Sequence, residues 1–134
     1  MKIEEYRNMK ISLVKLPALY NTIFFLVSIV EIVLIAIFLG GSNNLSWATL
    51  VLIYSNIEAK VFWLGIIAII LHVISYLDAM NQPWVLTADL IGIAAHILLI
   101  FVPSFFYISL ILIWLSIFLT LRKAYKHKHL QTRA

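Results

Sequence analysis

Four ionisable side chains, Glu31, His72, Asp89 and His96, interrupt stretches otherwise made almost entirely of Leu, Ile, Val, Phe, Ala and Gly. A carboxylate near an imidazole can share a proton with it, hold a cation, or serve as a fixed hydrogen-bond partner, and imidazole changes charge close to neutral pH. Small and hydroxylic residues accompany them at helical spacing. Gly65, Ala68, His72, Ser75 and Ala79 advance by three or four residues, the alternation that keeps one stripe turned toward a neighbouring helix. Asp89, Gly92 and His96 follow the same rule, with Ala88 and Ala95 widening the face, and Asn21, Ser28 and Glu31 form a stripe upstream. Ser109, Ser116 and Thr120 form another downstream.

Steric and solvation physics dictates the elements that carry these stripes. The chain of 134 residues is 63% hydrophobic and only 12% charged, against about 45–50% and about 25% in soluble domains. A water-soluble enzyme and a disordered chain are both excluded. A helix needs about 20 residues to cross a hydrocarbon core of about 30 Å, and four apolar runs approach that length: 16–39, 61–79, 84–102 and 104–121. Gly40 to Asn44 end the first, Asn81-Gln82-Pro83 separate the second and third, and Pro103 divides the third from the fourth. Pro17 is placed in the first turn of the first span, where its missing N–H is harmless.

Between spans one and two, residues 45–57 are apolar but too short to cross. Trp47, Leu50, Val51, Tyr54 and Ile57 recur at helical spacing, which predicts a short interfacial helix whose aromatics suit a headgroup region. Residues 1–15 read as an amphipathic N-terminus and 122–134 as a basic tail. Nine of the ten Lys and Arg residues lie in these two end segments and only Lys60 lies between spans. Short cytoplasmic segments retain basic residues, so both termini are expected in the cytoplasm of a multi-pass cell-membrane protein. Arg122, Lys123, Lys126 and Lys128 are assigned to lipid headgroups. The expected fold is an all-α integral membrane protein, a four-transmembrane-helix bundle with one interfacial helix.

At a rise of about 1.5 Å per residue, His72 and Asp89 both fall roughly 8 Å from the inner boundary, and Glu31 and His96 roughly 9–12 Å from the outer one. This predicts two carboxylate–imidazole pairs, His72 with Asp89 and Glu31 with His96, supported by Asn21, Ser28, Ser75, Ser109 and Ser116. The pairs read either as buried links that set helix packing or as a proton or ion path. Haem is the one cofactor to weigh, and it is disfavoured because His72 and His96 differ by roughly 10 Å in depth; no cofactor is expected. There is no cysteine, no HExxH, no GxSxG and no phosphate-cradling loop, so no catalytic motif and no metal motif is found. The basic clusters fit lipid rather than nucleic acid. The expected function is a small non-catalytic polytopic protein, an accessory or assembly subunit of a larger membrane complex or a homo-oligomer. The alternatives are a small proton-coupled transporter or ion-conducting protein and a haem-bearing quinone-reactive subunit.

Overall fold

The computed structural model describes the backbone of residues 2–80 and 82–132 and the side chains of residues 15–80 and 82–121. All its regular elements are helical: α1 (Lys2–Gly41), α2 (Trp47–Lys60), α3 (Phe62–Asp78), α4 (Pro83–Phe101) and α5 (Phe106–Thr132), with a 3₁₀ turn at Pro103–Phe105 before the last. Three segments, Lys15–Gly41, Pro83–Phe101 and Pro103–Leu121, are long and apolar enough to cross a membrane, and a fourth is counted if α2 and α3 are joined as one bent span. The headgroup residues proposed from the sequence, Arg122, Lys123, Lys126 and Lys128, lie outside the described side chains.

α1 runs unbroken from Lys2 to Gly41, so Pro17, expected in a first turn, lies inside the helix. Proline forfeits one intrahelical hydrogen bond but fixes φ near the helical value, and its ring is buried. The helix stops where Asn43 turns left-handed at φ 58°, a conformation that Asn tolerates better than most residues. The Asn44 N–H then reaches back to the Leu39 carbonyl at 3.0 Å.

Ser46 starts α2 by accepting the Thr49 N–H on its hydroxyl at 3.2 Å, the usual way a serine satisfies a free N-terminal donor. α2 and α3 meet at Val61 with a bend of 66°. The 17 residues of α3 rise about 26 Å, short of the about 30 Å core. Most of the expected 45–57 segment lies in the helix Trp47–Lys60, which leads into α3 at that angle. Its buried face is Leu50, Tyr54 and Glu58, while Trp47 is 62% exposed along one side.

α1 packs on α3 and α5, and α4 packs on the same two helices. The four long helices form a ring in which α1 and α4 face each other diagonally. Two kinds of interior result. At the α2 end, Ile35, Leu39, Leu50, Tyr54, Leu99, Phe106, Leu110 and Ile113 interlock as a bulky apolar core, with the Tyr54 and Phe106 rings 4.3 Å apart. Toward the α3–α4 hairpin the buried residues are Ala18, Ala68, Ala79, Val85 and Ala88 with a set of polar side chains.

Candidate functional site: a polar chain across the bundle

Three hydrogen bonds connect α4, α3, α1 and α4 again. His72 Nδ1 lies 2.9 Å from Asp89 Oδ1, Asn21 Nδ2 lies 2.7 Å from His72 Nε2, and His96 Nε2 lies 2.9 Å from Asn21 Oδ1. All four residues are 2% exposed or less. With Asp89 as an anionic acceptor, one assignment satisfies every link. His72 donates through Nδ1–H to Asp89 and accepts from the Asn21 amide at Nε2, and His96 donates through Nε2–H to the Asn21 carbonyl. A neutral imidazole has one donor and one acceptor nitrogen, so His96 Nδ1 carries a lone pair. That atom is buried and makes no hydrogen bond with the described residues.

Local sequence explains why the chain fits. His72 lies over Gly92, where a Cβ would come within 2.4 Å of the imidazole, a contact that no side chain tolerates. Gly65 gives similar room beside His96, where a Cβ would meet the flexible end of Ile100 at 3.0 Å. Phe24 closes the other side of His96 edge-on, with ring centroids 5.3 Å apart. Two further bonds tie the ring of helices together. The Tyr20 hydroxyl donates to the Leu64 carbonyl at 2.7 Å, and the Ser116 hydroxyl donates to the Ala88 carbonyl at 2.7 Å.

The structure brings His72 and Asp89 into contact, Nδ1 to Oδ1 at 2.9 Å. It does not bring Glu31 to His96. Asn21 takes the position at His96, because it lies on the α1 level that faces both imidazoles, whereas Glu31 lies further along α1, half-buried. The imidazole centroids are 6.2 Å apart, closer than their depth along separate helices suggests, since both rings converge on one amide. Ser75 and Ser109 are fully buried without a hydrogen-bond partner among the described residues. Ser28, 2% exposed, belongs to a different group. It lies with Glu58 beside the Tyr54 hydroxyl, and Glu31 is on the same side; that hydroxyl is buried and is not in hydrogen-bonding geometry with any of them. Glu58, which carries no role in the sequence pattern above, is thus 7% exposed and turned into the bundle. The available signal was its spacing of four from Tyr54, which places both on one helical face.

Among the described residues no three His, Asp or Glu side chains converge as a metal site. Three of the four imidazole nitrogens are engaged by protein side chains. Comparisons of the chain with protein families, with curated proteins and with solved structures give no match.

Proposed function

We propose that this chain is a non-catalytic, four-span membrane protein, with both termini on the cytoplasmic side of the cell membrane, that works as an accessory or assembly subunit of a larger membrane complex or as a homo-oligomer. The observation that carries this reading is the closure of the polar centre. Asp89, His72, Asn21 and His96 are joined by three hydrogen bonds across three helices, and a buried chain of that kind fixes which helices pack and in which register. It is a poor conduit, because the Asn21 carboxamide has no titratable proton to pass on.

The outer surface supports the subunit role. α1 carries the most apolar of the candidate spans, yet only 11% of its apolar window is buried, against 39% and 33% for the segments of α4 and α5. Leu26, Val30, Leu34, Ile37 and Phe38 are all more than half exposed, which leaves a long apolar face for lipid or for a partner helix. Purification in mild detergent with a C-terminal tag tests the proposal. The expected result is a stoichiometric membrane partner or a defined homo-oligomer by light scattering. A lone monomer at the expression level of the native protein overturns it, and a tag protected on the outer face overturns the orientation.

A further inference from the structure

We infer that water enters the bundle from its α3–α4 hairpin end, along Asp78, Ser75 and Asp89, and stops at the Asn21 bridge. Three buried oxygens mark the route: Asp78 Oδ2, Ser75 Oγ and Asp89 Oδ2 make no hydrogen bond to the described residues. They are not scattered. Asp78, Ser75 and His72 follow one another at spacings of three on α3, and His72 holds Asp89 at 2.9 Å, which sets the three oxygens in order from the hairpin toward the polar chain. The route climbs about 9 Å from Asp78 to His72. Asp78 is half-exposed at the last residue of α3, whereas Ser75 is fully buried, which gives the route a mouth and an interior. Ala79 and Ala88, both buried, keep the neighbouring side chains short.

Each buried polar atom left unpaired costs roughly 1–3 kcal/mol. Three such atoms on one route remove that cost together if they share water, which needs two to four polar partners and finds them in two carboxylate oxygens and a hydroxyl. The route ends at the polar chain for a steric and a chemical reason. Gly92 is closed against the His72 ring, and both His72 nitrogens and the Asn21 amide are already bonded. Beyond the chain lie Ala95, Leu99 and Ile113, all buried. Ser109 Oγ is also buried without a partner among the described residues, but it precedes Leu110 of the apolar core on α5.

The two serines make the test. They are equally buried and equally unpartnered among the described residues, and only Ser75 lies on the route. The sequence has no cysteine, so Ser75→Cys and Ser109→Cys each introduce a single, nearly isosteric thiol. In proteoliposomes, a small methanethiosulfonate applied from the face carrying the hairpin is expected to modify Ser75→Cys at least tenfold faster than Ser109→Cys. Adding Asp78→Leu, which blocks the mouth, is expected to slow the Ser75→Cys reaction at least threefold. Equal rates at the two thiols, or a Ser75→Cys rate indifferent to Asp78→Leu, overturn the inference. If either cysteine variant fails to fold, the wild-type protein decides: magnetisation transfer from water to the His72 ring protons and not to the Tyr54 ring is expected, and transfer to neither overturns it. The result holds for a lone protein and for a subunit alike.

Discussion

The two ends of the bundle interior are assembled by different forces. At the α2 end large side chains interlock, with Tyr54 against Phe106 and Ile35, Leu39 and Leu110 around them. At the hairpin end the side chains are small or polar, and directed bonds through Asn21, His72, Asp89 and Ser116 do the joining. In a bilayer, the setting proposed above, the contrast has a simple origin. Lipid is as apolar as leucine, so helices in a bilayer gain little from hiding leucine, and close packing and hydrogen bonds are left to hold them. Dispersion serves one end, where aromatic rings offer many contacts, and polar specificity serves the other.

The contrast makes substitutions at the two ends unequal. Asn21→Leu should be the most damaging, because it leaves His72 Nε2 and His96 Nε2–H both buried and unpaired, at about 1–3 kcal/mol each. A loss of about 3 kcal/mol in reversible unfolding in mixed micelles is expected, and a loss below about 0.5 kcal/mol would dissolve the distinction between the two ends. Gly92→Ala follows, at about 2 kcal/mol from overpacking, since the added methyl meets an imidazole held at both nitrogens. Its two-dimensional NMR signature is a lost His72–Asp89 hydrogen bond. Gly65→Ala serves as its partner experiment. There the neighbour is the movable end of Ile100, so less than about 1 kcal/mol is expected, and a loss matching that of Gly92→Ala would show that the glycines act by helix spacing alone. Smallest is Tyr54→Phe at the α2 end. Its hydroxyl is in hydrogen-bonding geometry with none of the described residues, so stability should stay within about 0.5 kcal/mol or rise; a large loss would move Tyr54 into the polar class.

Much of this interior was legible from spacing. The stripes through Gly65, His72 and Ser75, through Asp89, Gly92 and His96, and through Ser109 and Ser116 are buried faces of their helices, because a period between three and four residues leaves one face to turn inward. Partner choice was less legible. A neutral amide gives no charge to match, so Asn21 stood behind Glu31 as the partner of His96, although it alone offers a donor and an acceptor to two imidazoles at once. Glu58 was obscured for a related reason, since a charged residue near Lys60 reads as a break until tertiary packing turns it inward. The continuity of α1 through Pro17 was hidden too, as a proline marks a boundary by its local cost and not by what packs around it.

The bent joint at Val61 has a consequence for the surrounding lipid. The apolar stretch of α1 runs for 27 residues and α3 for only 17, a difference of about 15 Å in height. In a bilayer, acyl chains along one flank would meet a tall wall and those along the neighbouring flank a low one roofed by α2. A membrane adjusts to such mismatch by thinning, thickening or tilting the protein, at a fraction of a kcal/mol per Å. The molecule would therefore sit in an uneven collar of lipid, with its tilt set by bilayer thickness.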